Sequence, residues 1–176
     1  AHVWPFFVWP FSLAVNGLPR GPENSEPLKE PSIMSTIPLS KANRIITAAF
    51  SKGKELELAP LTVVVLDAGG QPISVQRQDG SSMMRFDIAT GKAWGALALG
   101  MGSRKVGAIA VERPHFFQGL SGVSGGRMVP VPGGVLVRDK KGAFIGAVGI
   151  TGDTSDNDEA CAIAGIESAG FTPDAG

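Results

Sequence analysis

Two turn sequences constrain the fold of this chain more than any other feature. Asp-Ala-Gly-Gly at 67–70 and Asp-Lys-Lys-Gly at 139–142 each stand between two apolar runs. The four runs cover 61–66, 72–76, 134–138 and 143–150. A parallel pair of strands needs a crossover much longer than such a turn, so each pair of runs predicts an antiparallel hairpin. The core of the fold is therefore predicted to be an antiparallel sheet.

Helical periodicity occupies the segments around the hairpins. Ser40 is predicted to cap a first helix over 41–56, and a second helix is predicted over 81–100. A short helical or irregular piece over 103–109, a short helix after Pro114 with a glycine-rich loop, and a final helix from Thr154 or Ser155 to Gly170 complete the pattern. Helices alternating with hairpins predict a single α+β domain whose antiparallel sheet is flanked by helices, and the βαβ order of a Rossmann fold is absent.

The first 33 residues differ from the rest of the chain. They hold two of the three tryptophans and six of the 13 prolines. Pro5 and Pro10 interrupt their apolar part, which is typical neither of a secretory signal nor of a membrane span of roughly 20 apolar residues. We predict that 1–33 is an appended leader and that the domain covers 34–176, starting at Met34; the alternative is an aromatic arm that packs on a neighbouring subunit. The predicted location is cytoplasmic, or exported if a leader precedes residue 1.

Charge and cysteine content exclude several classes of function. The 16 basic and 16 acidic residues balance, and no basic block indicates a nucleic-acid partner. The single cysteine, Cys161, excludes an intrachain disulfide and a zinc site built from several thiolates. The two histidines, His2 and His115, do not have the spacing of a conventional metal site.

Three stretches of the chain have distinctive sequences: VVVLDAGGQPISVQRQDGSS, DIATGKAWGAL and GGRMVPVPGGVLVRDKKGAFIGAVGITGDTSDNDEACAIAGI. They resemble the GlcG/HbpS family, which also includes the C-terminal domain of some corrinoid adenosyltransferases. The resemblance runs from roughly Ser40 to Phe171, and GAVGITGDTSDNDEACA is its most specific part. It implies a profilin-like α+β domain, homo-oligomers with the octamer among them, haem or corrinoid binding in several members and haem degradation in some. Other relatives act on small aromatic or organic acids, and a fold alone does not fix function.

Haem is the cofactor that the resemblance implies, and His115 is the first candidate to contact it. It is the only histidine of the predicted domain, and Phe116 and Phe117 beside it can stack on a flat ring. We predict that His115 ligates the iron axially or hydrogen-bonds a propionate. The alternative is a half-buried histidine among aromatic residues. Cys161 lies between two alanines and is expected to be a small buried apolar residue, not a thiolate ligand.

Three cations could recognise the carboxylates of a ligand. Arg77 and Arg85 flank the junction between the first hairpin and the second helix, and Lys92 lies about two turns further along that helix. If their side chains converge, they suit haem propionates or a small carboxylate substrate. The alternative is a solvated face neutralised by Asp79 and Asp87.

Two glycines and an acidic cluster have competing interpretations. Gly146 and Gly149 stand inside a predicted strand, which indicates either a ligand against that surface or a helix crossing it tightly. The acidic residues at 153–159 lack the spacing of an EF-hand loop and are interpreted as helix capping. The segment 119–132 is either a mobile lid or a long connection.

The leading hypothesis from the sequence is a haem-binding homo-oligomer that stores, senses or slowly degrades the ring. A second hypothesis is a cofactor-free enzyme for a small aromatic or organic acid, with Lys92 or His115 as acid or base and an arginine that clamps the carboxylate. A third is a non-catalytic assembly module.

Overall fold

The structure is a computed structural model, and it describes residues 36–176. The predicted leader at 1–33 and the predicted start at Met34 lie outside the described residues and stay predictions.

Within 36–176 the chain forms five α-helices and five β-strands. The helices are α1 (Leu39–Glu55), α2 (Arg85–Leu99), α3 (Ser103–Glu112), α4 (Pro114–Val123) and α5 (Ser155–Ser168). The strands are β1 (Thr62–Asp67), β2 (Pro72–Arg77), β3 (Gly134–Arg138), β4 (Phe144–Thr151) and β5 (Thr172–Asp174). They make one sheet in the order β2-β1-β4-β3-β5, and every neighbouring pair is antiparallel. The predicted α+β class and both hairpins are confirmed.

Equivalent aspartates hold the two hairpin turns. The Asp67 Oδ1 atom accepts hydrogen bonds from the backbone N–H groups of Gly69 and Gln71, at 2.8 and 2.9 Å. Asp139 Oδ1 accepts in the same way from the residues two and four positions after it, at 2.8 and 3.0 Å. Each turn contains a glycine with positive φ, 77° at Gly70 and 84° at Gly142. Residues other than glycine rarely adopt this backbone conformation. Asp67 and Asp139 are therefore structural residues of their turns.

Helices cover both faces of the sheet. On one face α1 and α5 pack together over Val63 and Val65 of β1, and on the other face α2 packs over Val64 and Leu66. All four side chains are fully buried. A central strand buried on both sides has no polar face, which explains why β1 is a continuous apolar run in the sequence.

The backbone of α2 lies directly against Gly149 of β4. A Cβ atom at Gly149 would overlap the carbonyl oxygen of Ala89 and would lie 3.0 Å from the Cβ of Ala93. At Gly146, a Cβ would overlap the Leu66 carbonyl oxygen and lie 2.6 Å from Cδ1 of Ile37. The protein itself fills both positions, so a ligand against these glycines is the wrong interpretation, and the tight helix crossing is confirmed at Gly149.

Several boundaries differ from the sequence prediction. Helix α1 begins at Leu39, and Ser40 is inside its first turn, because the Pro38 carbonyl already accepts from the Lys41 and Ala42 N–H groups. Helix α2 begins only at Arg85, after turns at the predicted start. Helix α5 begins as predicted, with Thr154 as its cap and its Oγ1 accepting from the Asn157 N–H at 3.4 Å.

The segment predicted as either a lid or a connection is helical in its first part and packed in its second. Helix α4 extends to Val123, and residues 127–130 then pack against α2 and α3. A Cβ at Gly91 would lie 2.7 Å from Cγ2 of Val129, and one at Gly107 would lie 2.8 Å from the Pro130 carbonyl oxygen. These contacts favour the connection over the lid.

Candidate functional site

A buried ion pair links α2 to the start of α5. The Lys92 Nζ atom lies 2.8 Å from Asp158 Oδ2 and also donates to the carbonyl oxygen of Ile150 at 3.0 Å. Lys92 is 2% exposed and Asp158 is 1% exposed. Burial lowers the pKa of Lys92 and raises the pKa of Asp158, although the attraction between the two groups opposes both changes. Lys92 is thus an internal partner of Asp158, and its burial contradicts the predicted cationic patch with Arg77 and Arg85.

Small residues make room for this pair. Helix α2 places glycine or alanine at positions 89, 91, 93, 95 and 96, all buried, so its backbone approaches the sheet closely. A Cβ at Gly134 would overlap the Lys92 carbonyl oxygen, and one at Gly133 would lie 3.0 Å from Nζ of Lys92. The lysine side chain therefore enters a space that larger residues would close.

Arg77 and Arg85 lie at the same end of the sheet. The strand register places Arg77 of β2 and Thr151 of β4 on either side of Thr62 of β1. Arg85 Nη1 donates to Thr151 Oγ1 at 2.8 Å, Arg77 Nη1 donates to the Ser81 carbonyl at 3.0 Å, and the hydroxyls of Ser81 and Thr62 are 2.8 Å apart. We call these five residues the sheet-end site. Two of the three cations thus share one site.

Two carboxylates near the sheet-end site, Asp153 and Asp158, accept hydrogen bonds from donors other than Arg77 and Arg85. Asp158 accepts from Lys92 and from the Asp153 N–H at 3.1 Å. Asp153 accepts from the Asn157 side chain and from the N–H groups of Thr154 and Ala59, and these bonds lower its pKa in that order. Among the described residues, no ion pair includes Arg77 or Arg85.

His115 and Phe116 lie at a second location, on helix α4. None of the residues of α4 is buried, and the helix packs on α3. His115 is exposed, so the half-buried alternative is wrong. The Arg113 guanidinium lies 4.5 Å from the centre of the Phe116 ring. In the described part of the chain, no hydrogen bond or ion pair joins His115 to the three cations of the predicted patch. We give the name α4 surface to four neighbouring residues, Arg113, His115, Phe116 and Phe117.

The sequence did not point to every group at these two locations. Arg113 directly precedes Pro114 and His115, so its proximity to the histidine could have been found from spacing alone. Thr62 and Thr151 stand at the polar ends of apolar runs, a weak signal that becomes meaningful only when the strand register brings them together. Ser81 carries no signal of its own in the sequence.

Cys161 is fully buried on α5. Burial raises the pKa of its thiol to about 11, so the thiolate that binds iron is disfavoured at neutral pH. The predicted apolar role of Cys161 is confirmed. Across residues 36–176, no group of three or more His, Cys, Asp or Glu side chains is arranged to hold a metal ion. None of the helices in that range has the length and apolar content that crossing a membrane requires.

Comparison with known proteins identifies the family. The family model described as "Haem degrading protein HbpS-like" matches residues 37–167. An uncharacterised 15.0 kDa protein of Citrobacter freundii, from the dhaT-dhaS intergenic region, is 32% identical over 125 residues, which are 71% of this chain and 86% of that protein. The corrinoid adenosyltransferase PduO of Citrobacter freundii is 24% identical over 130 residues, which are 74% of this chain and only 37% of that protein.

Solved structures share the fold. ORFY of Klebsiella pneumoniae superposes with a TM-score of 0.72 and 26% identity, over 82% of this chain and 98% of that one. A complex of PduOC with haem gives a TM-score of 0.70 at 22% identity, over 78% and 97%. A double mutant of Streptomyces reticuli HbpS gives 0.68 at 23%, over 85% and 97%. The sequence resemblance is thereby confirmed, and the chain belongs to the HbpS-like family.

Proposed function

We propose that this protein binds haem at the α4 surface, with His115 as an axial ligand of the iron. The observation that carries the proposal is an exposed imidazole on a helix without a single buried residue, beside an aromatic ring and a guanidinium. The family membership and the haem complex of PduOC support the same ligand class.

The groups of the α4 surface fit the chemistry of haem. Imidazole is a common ligand of haem iron, and His115 would supply it here. Phe116 and Phe117 would offer apolar area for the porphyrin ring. Arg113 has no carboxylate partner among the described residues and suits a propionate. We therefore assign propionate recognition to Arg113, because Lys92 is internal and Arg77 and Arg85 belong to the sheet-end site. Bound iron would supply the redox chemistry, and the protein would hold and orient the ring.

Self-association through α3 and α4 would complete this site. Val111 is 83% exposed and Val123 is 91% exposed, and Phe116 is also exposed. Exposed apolar side chains on two helices that pack together favour an interaction surface here. A second copy on this surface would cover both the apolar residues and one face of the ring, and sedimentation with and without haemin measures the subunit number, including the octamer that the family resemblance implies.

A haemin titration tests the proposal. The wild type should give a defined Soret band, and His115→Ala should lose or shift it. His2→Ala and Cys161→Ala are the matched controls, since they remove the other histidine and the only thiol, and both should keep the wild-type band. Spectra of free haemin in the wild type, or loss of the band in a control variant and not in His115→Ala, would refute the assignment.

Degradation of the ring is a finer proposal that needs its own assay. The description of the family model names haem degradation. We propose that the haem-loaded protein degrades its haem when it is supplied with a reductant and oxygen. The decay of the Soret band measures this reaction, and free haemin under the same conditions is the reference. Loss of the band no faster than for free haemin would reduce the role to storage or sensing.

The cofactor-free enzyme is less well supported. Lys92, one of the two predicted acids or bases, is 2% exposed and is held by Asp158. His115, the other one, is exposed on α4, and among the described residues no hydrogen bond or ion pair joins it to Arg77 or Arg85. A general acid or base must reach the substrate within hydrogen-bond distance, and a buried ion pair does not.

A further inference from the structure

We propose that the sheet-end site binds a small carboxylate independently of haem. The site is formed by Arg77, Arg85, Thr62, Ser81 and Thr151, and the proposed haem site on α4 does not use it. It joins two guanidinium groups and three hydroxyl groups at the ends of β1, β2 and β4.

The site has more hydrogen-bond donors than the protein can satisfy. A guanidinium carries five N–H donors, and Arg85 and Arg77 each use one of them within the described residues. The hydroxyl residues Thr62, Ser81 and Thr151 are buried, so they hold the arginines in place and do not themselves reach a ligand. The groups that can reach a ligand are Arg77, which is exposed, and Arg85, which is half-buried. A ligand that complements this set must accept hydrogen bonds.

The carboxylates next to the site leave these donors free. Asp158 is held by Lys92 and by the Asp153 N–H, and Asp153 is held by Asn157, Thr154 and Ala59. Arg85 is half-buried and lies within Coulombic range of both aspartates, yet it forms an ion pair with neither. A planar carboxylate matches the two-pronged geometry of a guanidinium better than a spherical anion does.

One cavity is lined by Arg77, alone among the sheet-end residues, and this cavity has room for the rest of the ligand. Its volume is about 590 Å³, which is within the range of small-molecule sites. Its walls include Lys54, Pro60, Leu61, Gln78 and Asp79. Pro60 and Leu61 suit the body of an organic acid, and Lys54 and Asp79 give the walls one charge of each sign. The cavity therefore has room for an organic acid without selecting for its number of carboxylates.

Titration calorimetry with acetate, benzoate and malonate tests the proposal, with chloride at matched ionic strength as the reference. We expect saturable binding of at least one of the three acids. Its affinity should fall at least about tenfold in Arg85→Gln and in Arg77→Gln, as expected when a charge-assisted bond is removed. Arg44→Gln removes an exposed arginine from α1 and should bind as the wild type does. Arg85→Lys keeps the charge without the planar fork and should also bind weakly, which provides a second variant if Arg85→Gln does not fold.

Haem binding at the α4 surface and carboxylate binding at the sheet-end site can be tested independently of each other. His115→Ala should keep carboxylate binding, and Arg85→Gln should keep the Soret band of the haemin complex. Equal affinities in the wild type and in folded Arg77→Gln and Arg85 variants, or no saturable binding of any carboxylate at millimolar concentration, would overturn the carboxylate site while leaving haem binding untouched.

Discussion

Cys161 shows how burial decides the chemistry of a single side chain. The pKa of its thiol rises from 9.0 to about 11, which lowers the fraction of thiolate about a hundredfold. We expect iodoacetamide to leave the native protein unmodified at neutral pH and to label the guanidinium-unfolded protein completely, as measured by mass spectrometry. Rapid labelling of the native protein would show that the cysteine is accessible and would reopen the thiolate as an iron ligand.

Asp153 gives the fold a defined response to acid. Hydrogen bonds from Asn157, Thr154 and Ala59 lower its pKa below the ordinary value of 3.8. A lowered carboxyl pKa contributes stability that is present above the ordinary value and is lost as the pH falls through the lower, folded value. We expect Asp153→Asn to lower the urea midpoint at about pH 6 and to differ less from the wild type at about pH 3. A gap between the two proteins that does not change with pH would contradict this account.

At the scale of elements, local patterns predicted most of the fold and non-local pairing determined the rest. The hairpins and helices α1 and α5 follow from turn residues, periodicity and a cap, all of which are local in the sequence. Strand β5 is three residues long and contains Pro173, and it exists because it pairs with β3 at the edge of the sheet. Nothing local predicts such a strand. The full extent of α4 was also missed, because its glycines are typical of a loop.

The crossing of α2 over β4 depends on Gly149, and a substitution tests it. Gly149→Ala places a methyl group against the Ala89 carbonyl and should destabilise the fold by about 1–3 kcal/mol or more, as overpacking does. Gly119→Ala on α4 is the control, because a Cβ there meets nothing within 4 Å. The control should be neutral or more stable by about 0.5–1 kcal/mol, since alanine favours a helix. Equal unfolding midpoints for the two variants would mean that α2 does not approach the sheet so closely.

At the scale of the whole molecule, the structure separates His115 from the three cations and buries Lys92 beside Asp158. Arg77 and Arg85 lie at one end of the sheet, as expected from their positions on either side of one junction between elements. The sequence could not place Lys92, since the partner that draws it inside, Asp158, is 66 residues away in the chain. It also grouped His115 with these cations, whereas α4 extends from α3 and presents its histidine to solvent. The residue types indicated which chemical groups could bind a ligand, but only the tertiary structure showed where in the molecule those groups lie.

The Lys92–Asp158 pair connects α2, β4 and α5, so its removal should lower the stability of the whole domain. Asp158→Ala leaves a buried ammonium without its counter-ion and should cost about 3–5 kcal/mol in the free energy of unfolding. The double variant Lys92→Met, Asp158→Leu removes both charges and should recover most of that loss, because neither group then has to be desolvated. Urea unfolding at one fixed protein concentration measures both, since self-association would otherwise change the apparent stability.

The exposed pair Lys52–Glu55 on α1 is the control for burial. Its ionic atoms are 2.7 Å apart, slightly closer than those of Lys92 and Asp158, but the side chains are 31% and 66% exposed. Glu55→Ala should therefore cost less than about 1 kcal/mol. If Asp158→Ala cost no more than Glu55→Ala, Lys92 would have to find solvent or another partner easily, and its side chain would then be available to the sheet-end site as a third cation.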